Sequence, residues 1–273
     1  MSYAQAVVLG LVQGLTEFLP VSSSGHLILV PHVFGWPDQG LAVDAALHLG
    51  TLTALLAFFR GELIGLLTGT LDRRLGLLVI LATVPGGVAG LLFGKYIEAH
   101  FRWPLLIAFT TAFWGIVMLI ADRRARPAPP TQRTHVTPND QPDDPLEHVG
   151  WARGLAVGVA QALALIPGTS RSGITITTGL FTGLDRATAA RYAFLLGIPI
   201  TAGAGLKEAL HLVRSGEHVG DMGPIVLAVL VSFISGWFAV WFLVNYLKRR
   251  SLVPFVVYRL ALAVAIVLAF ARA

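Results

Sequence analysis

Cysteine is absent from the 273-residue chain, and that alone excludes disulfide staples, thiolate nucleophiles and zinc–thiolate centres. Charge is nearly as scarce. Only 13% of residues are charged against 55% hydrophobic, and the mean hydropathy is +0.72, so lipid rather than water must solvate most of the chain. The strict apolar/polar alternation of a transmembrane β-barrel is missing, and the hydrophobic period is helical. The first segment lacks a basic start and an A-x-A-like site and carries Gln13 and Glu17 inside its apolar run, so it reads as mature structure rather than a cleaved signal. One long polar stretch, Arg123 to His148, rich in Pro, Thr, Asp and Gln, joins two apolar halves, and no separate soluble domain is implied.

The net charge of +5 is not a nucleic-acid footprint, because the basic residues are spread over short polar connections. Arg73 and Arg74 lie in one, Arg123, Arg124, Arg126 and Arg133 in a second, and Lys248, Arg249 and Arg250 in a third, as the positive-inside rule expects of a membrane protein. Apolar stretches near the ~20 residues that cross a bilayer run from Leu75 to Lys95, Pro104 to Ile120, Ile225 to Leu243 and Leu252 to Phe270.

The two halves repeat weakly. Leu9-Gly-Leu-Val-Gln13 matches Val157-Gly-Val-Ala-Gln161, and Ser22-Ser-Ser-Gly25 matches Ser170-Arg-Ser-Gly173 at the same offset. Each half opens with an apolar helix that breaks at a proline, Pro20 or Pro167, followed by hydroxyl residues and a glycine. The segments on either side of each break are too short to span, which predicts re-entrant helix-loop-helix hairpins over about 3–34 and 150–184. Six spans remain, roughly 40–59, 75–95, 104–122, 186–205, 223–246 and 252–271. With the N-terminus outside, the basic connections all fall in the cytoplasm and the halves acquire opposite topology. The expected fold is an all-α polytopic membrane protein with six transmembrane helices and two re-entrant hairpins in an inverted repeat. Residues 1–122 and 150–273 form its membrane halves and 123–149 a cytoplasmic loop.

Backbone exposed by a break is tolerated in a bilayer only where it is buried in protein or lines a polar cavity, so both breaks mark a site. In Pro167-Gly-Thr-Ser-Arg-Ser-Gly173, the small residues Gly168, Thr169, Ser170, Ser172 and Gly173 can turn amides toward one anion at a helix N-terminus. Arg171 adds a two-pronged donor for phosphate oxygens, and at membrane depth an arginine costs ~2.5–3.5 kcal/mol without a partner. In the first break Gln13 and Glu17 share a helix face and lead into Ser22, Ser23, Ser24 and His26, bringing hydroxyls, an imidazole and a carboxylate together. Phosphate-ester hydrolysis asks for a nucleophile, a proton carrier and positive charge on the transferred oxygens, which this pair of motifs supplies. Asp44 and His48, four apart in the first span, are a helix-face pair within reach of the same cavity. Arg186, Arg191, Trp103, Trp151 and Trp237 read as interfacial anchors.

Gln13-Gly-Leu-Thr-Glu17-Phe-Leu-Pro20-Val-Ser-Ser-Ser-Gly-His26 and Pro167-Gly-Thr-Ser-Arg-Ser-Gly173 resemble the two signatures of the bacitracin-resistance, undecaprenyl-diphosphate phosphatase family. The likeness runs nearly end to end, through Leu47-His-Leu-Gly-Thr51 and Phe194-Leu-Leu-Gly-Ile-Pro199, with the 123–148 loop as the variable part. It implies hydrolysis of undecaprenyl diphosphate, a phosphoanhydride cleavage that recycles the cell-wall lipid carrier for peptidoglycan synthesis and confers bacitracin tolerance. It also implies a multi-pass protein of the bacterial inner membrane, a site open to the outer face, and dependence on a divalent cation, Mg2+ or Ca2+. By position, Glu17, Ser23, His26 and Arg171 become the catalytic residues. Ser22, Ser24, Gly168, Thr169, Ser170, Arg171, Ser172 and Gly173 become the phosphate-binding residues, and Glu17 with Gln13 the cation ligands. Many relatives carry glutamate where this chain has Gln13, so Glu17 carries more of that role.

The expected chemistry is in-line displacement, with Ser23 attacking and His26 as base, or His26 attacking directly, while Arg171 holds the phosphate. The residues do not choose between the two nucleophiles. A second reading is a flippase or transporter of an isoprenyl phosphate, built on the same inverted repeat. The expected partners are a polyprenyl diphosphate lipid substrate and the membrane, without nucleic acid, and a homodimer is the assembly considered.

Overall fold

The computed structural model describes residues 1–37, 41–125, 145–215 and 221–270, and the regular elements among them are helices. Most of the expected polar loop, with Arg126 and Arg133, lies outside the described residues. Helix α1 spans Tyr3–Phe18, α2 Ser23–Phe34, α3 Leu41–Phe58, α4 Arg60–Thr68, α5 Arg73–His100 and α6 Pro104–Arg124. The second half has α7 at Trp151–Gln161, extended by a 3-10 turn at Ala162–Leu165, then α8 Arg171–Phe181, α9 Arg186–Ser215, α10 Met222–Leu247 and α11 Val253–Phe270.

Local chemistry sets the helix ends. Ser2 and Gln5 close a capping box on α1, Asp72 accepts from Arg74 N at 2.8 Å to start α5, and Asp221 accepts from Gly223 N at 3.0 Å to start α10. Proline stands in the first turn of α6, where no intrahelical N–H is lost.

Helices α5, α6, α9, α10 and α11 are each long and apolar enough to cross a membrane, and α3 with α4 makes a sixth unit bent by 62°. The five long helices fall on five of the expected spans, and the bent pair covers the residues expected for the first. The long helices expose large apolar side chains, Phe109 and Ile234 among them, as lipid contact requires.

Each opening helix packs on a long helix of the other half: α1 lies on α10, and α7 on α5. Apolar burial does not drive helices together in lipid, so close approach of small residues has to. At Gly158 a methyl group would sit 2.2 Å from the Ala82 carbonyl oxygen, leaving no room for any side chain between α7 and α5. Gly158→Val is therefore expected to destabilise the protein by ~1–3 kcal/mol and lower its thermal unfolding midpoint in detergent. An unchanged midpoint would show that α7 can lift off α5 freely.

At one end of the bundle, Arg186 pairs with Asp122 at 2.6 Å and also donates to the Asp122 carbonyl, while Arg191 pairs with Glu62 at 2.9 Å. Beside the interfacial place expected for them, both tie α9 to neighbouring helices, Arg186 to α6 and Arg191 to α4. Trp103 has 70% of its surface exposed.

Candidate active site

The chain breaks twice in the same way. Ser22 and Ser170 each precede a new helix at φ of 74° and 69°, and they are the non-glycine residues with positive φ among those described. Such backbone costs ~1–3 kcal/mol and persists only where surroundings over-determine it. Here the two breaks brace each other. Ser24 Oγ accepts from Gly168 N at 3.0 Å, while Ser172 Oγ donates at 3.3 Å to the carbonyls of Glu17 and Leu19. Thr110 of α6 donates to the Pro167 carbonyl at 2.6 Å, and Gly168 at φ 88° has no space for a Cβ, which would lie 2.1 Å from Thr110 Oγ1.

Glu17 sits at the last turn of α1 and gathers the site around its carboxylate. Oε1 accepts from Arg171 Nη2 at 2.7 Å, and Oε2 accepts from Ser23 Oγ at 3.0 Å and Gln13 Nε2 at 3.1 Å. His48 Nε2 stands 3.9 Å from Oε2, with its Nδ1 donating to the Asp44 carbonyl at 2.8 Å. Arg171 also donates to the Gly197 carbonyl at 3.3 Å and to the Thr201 hydroxyl, so α9 orients its guanidinium. The carboxylate is 8% exposed and the guanidinium 20%, which places a paired charge just beneath the cavity surface.

Above this cluster opens a cavity of about 990 Å3. Glu17, Ser23, Ser24, Ser170, Arg171, Asp44 and His48 line its polar floor, and Leu27, Ile28, Trp36, Leu91, Ile97 and Ile200 supply apolar walls. Both α2 and α8 begin at this floor, so two positive helix ends face one volume. That combination suits an anionic head group with an apolar tail.

Other expected site residues stand elsewhere. His26 is turned toward α11: Nδ1 donates to the Ser22 carbonyl at 2.8 Å, and Nε2 accepts from the Tyr258 hydroxyl at 2.6 Å. The structure thus does not bring His26 to Ser23, and the group in contact with that hydroxyl is Glu17. The expectation that the amides of 167–173 converge on one anion is corrected as well. Gly168 N is taken by Ser24, Thr169 N by the Ile166 carbonyl and Gly173 N by Ser170 Oγ. Buried backbone donors satisfy themselves within the protein, leaving for a ligand the first N–H groups of α8 and those guanidinium N–H groups of Arg171 that Glu17, Gly197 and Thr201 do not take. Ser22, Thr169 and Ser172 are buried and shape the breaks rather than line the cavity.

The donor set does not fit a resident divalent cation. Among the described residues no three His, Cys, Asp or Glu side chains come together, and both oxygens of Glu17 are engaged, one by a guanidinium. Gln13 Oε1 is buried without a partner, but one amide oxygen beside an already paired carboxylate falls short of the several oxygens such cations take.

Arg259 escaped the reading from sequence. It is the largest fully buried side chain, and it reaches the carbonyls of Thr111 at 3.0 Å, Pro20 at 3.4 Å, Gly168 at 2.9 Å and Thr169 at 3.1 Å, touching both breaks at once. The signal was present, since an arginine inside the apolar run Leu252 to Phe270 is costly.

Fold and site together define a class: a helical integral-membrane protein whose centre is a charged cavity floor built from two broken helices. The chain belongs to the bacitracin resistance protein BacA family, whose model matches residues 6–265. It is similar to undecaprenyl-diphosphatase 2 of Stutzerimonas stutzeri, with 46% identity covering 99% of each chain. It is also similar to the undecaprenyl-diphosphatase of Moorella thermoacetica, at 46% identity over 99% of this chain and 98% of that one. The undecaprenyl-diphosphatase of Alcanivorax borkumensis is 44% identical over 97% and 98%.

Proposed function

We propose that this protein hydrolyses undecaprenyl diphosphate to undecaprenyl phosphate and inorganic phosphate, recycling the lipid carrier of cell-wall synthesis and conferring bacitracin tolerance. Membership of the family and the names of its relatives support the activity. The observation that carries the chemistry is Glu17, whose carboxylate holds the Ser23 hydroxyl at 3.0 Å and the Arg171 guanidinium at 2.7 Å on one cavity floor.

In this reading Ser23 Oγ attacks the terminal phosphorus and Glu17 takes its proton. The bridging P–O bond breaks, and the carboxylic acid passes that proton to the departing lipid phosphate. Water then attacks the phosphoserine while Glu17 accepts its proton and returns one to Oγ, so serine is regenerated and phosphate leaves. Arg171 and the N-termini of α2 and α8 hold the charge that gathers on the transferred oxygens. His26 is a positioning residue, fixing the Ser22 carbonyl at the start of α2.

The proposal extends to topology: α1–α2 and α7–α8 as re-entrant hairpins in an inverted repeat, six spans, and a cavity open to the outer face of the bacterial inner membrane. Paired short helices, matching backbone breaks and the clustering of basic residues in alternate connections of the sequence support it. A homodimer is retained as the assembly to test by the mass of the solubilised protein. The dependence on a divalent cation implied by the family resemblance is read by the chelator arm of the assay below.

Phosphate release from undecaprenyl diphosphate by the detergent-purified protein, with and without chelator, tests this reading. Ser23→Ala is expected to lose at least ~10³-fold in kcat while still binding lipid. Turnover of Ser23→Ala at the wild-type rate would remove serine from the mechanism. A wild type that binds the lipid yet releases no phosphate with any divalent cation would sink the hydrolase itself.

A further inference from the structure

Gln161 closes α7 as the counterpart of Gln13: each stands nine residues before the positive-φ serine that opens the next helix. One turn further on, the halves diverge. The first has Glu17, which accepts from Gln13 at 3.1 Å, and the second has Leu165, so Gln161 lacks that local partner. Both its Nε2 and its Oε1 are buried with no hydrogen-bond partner among the described residues, and the residue is only 3% exposed. It nonetheless lines the cavity that Arg171 and Ser23 floor.

An unpaired buried amide is destabilising, and an apolar side chain of the same length would remove the cost, so the glutamine calls for a ligand. The amide is packed beneath the cavity wall, where a glycine leaves it the little room it has. Across from it α5 presents Gly86, where a Cβ would lie 3.3 Å from Gln161 Nε2 and crowd the amide. Ile200 packs at the same place, its Cδ1 3.8 Å from that Cβ position, and the next residue, Thr201, accepts from Arg171. Gln161 thus lies beside Ile200, the residue before the Thr201 that Arg171 engages, and both side chains line the same cavity.

We propose that Gln161 is the second phosphate contact of the site, donating an amide N–H to the lipid-side phosphate, the one not transferred, while Arg171 holds the terminal phosphate. The inference rests on the diphosphatase reading. An uncharged donor suits that place, because the phosphate it holds leaves with the product, and a second guanidinium would retain the lipid after cleavage.

The test uses the full-length protein with inorganic phosphate and methylenebisphosphonate as probes, measured both as competitors of turnover and by calorimetry. Gln161→Met should weaken methylenebisphosphonate binding and raise KM by roughly tenfold or more, with inorganic phosphate unchanged, and Gln161→Glu should weaken the bisphosphonate further. Equal loss for both probes would mean that Gln161 serves the terminal or a free phosphate, and the proposal would fall. It would fall equally if neither probe changed and Gln161→Met unfolded at a higher temperature, since the amide would then hold only water. A wild type without turnover would sink the diphosphatase reading, whereas calorimetry with the two probes would still judge Gln161.

Discussion

Glu17→Gln should leave the helices folded and lower turnover of undecaprenyl diphosphate by ~10²–10³-fold, with a smaller change in KM. The substitution keeps shape and volume, so packing of α1 against α10 is undisturbed. What it removes is charge and acceptor capacity. A neutral amide cannot take the Ser23 proton, and half of its polar atoms donate where Glu17 only accepts: with its oxygen at the Oε2 place it keeps Ser23 and Gln13 but turns an NH2 on Arg171, and flipped it loses both. Arg171, held at 2.7 Å by the carboxylate, would lose its ionic partner while keeping its bonds to Gly197 and Thr201. A guanidinium released this way binds anions at least as well as before, which is why kcat rather than KM should fall. Steady-state kinetics with helicity checked by circular dichroism decide the matter. An unchanged kcat would mean that Ser23 loses its proton elsewhere, with His48, whose Nε2 lies 3.9 Å from the same carboxylate, as the next group to examine.

Much of this architecture could be read from composition and spacing. Apolar stretches of membrane length have no alternative to helix, because no other local structure satisfies the backbone in lipid, and Pro20 and Pro167 mark where helices must stop. The repeat offset placed Ser22 opposite Ser170, and the two carry the same unusual φ. The convergence of Glu17, Ser23 and Arg171 was also legible, since a carboxylate and a guanidinium at membrane depth need each other. Side-chain direction was not. Whether His26 faces Ser23 or α11 depends on where the helix after the break points, and Tyr258, 232 residues away, supplies the partner that holds it there. The amides of the second break look equally available in sequence, but Ser24 of the other half had already claimed Gly168.

The reciprocal bracing of the breaks explains how a helical membrane protein keeps irregular backbone at its centre. Each interrupted helix leaves carbonyls and amides that lipid cannot satisfy, and the cheapest partners are the equivalent groups of the other half. Ser24 and Ser172 occupy matching positions and each reaches across, so neither break is stable without its counterpart. The site is consequently a property of the assembled halves. Residues 1–122 alone would carry Glu17 and Ser23 but neither Arg171 nor the donor to Ser24.

Arg259→Met should destabilise the protein by about 3–5 kcal/mol and abolish turnover at temperatures where the wild type is folded. Its guanidinium is completely buried and donates to four carbonyls, drawn from α6 and from both breaks. Methionine fills much of the same volume yet leaves those carbonyls without donors in a region closed to solvent. Arg259→Lys separates charge from geometry: it keeps a cation, but one ammonium cannot cover acceptors arranged around a planar fork, so it should restore only a minor part of the lost stability. Thermal unfolding in detergent for both variants, beside phosphate release at low temperature, gives the readout. If lysine restored wild-type stability and turnover, charge alone would be the requirement, and the arginine would act on the anion in the cavity rather than on the backbone. If methionine matched the wild type in both, the breaks would be held by Ser24, Ser172 and Thr110 without a central staple. The geometry favours neither outcome, because Pro20 and Gly168, equivalent positions in the repeat, are joined to one another only through this side chain among the hydrogen bonds described.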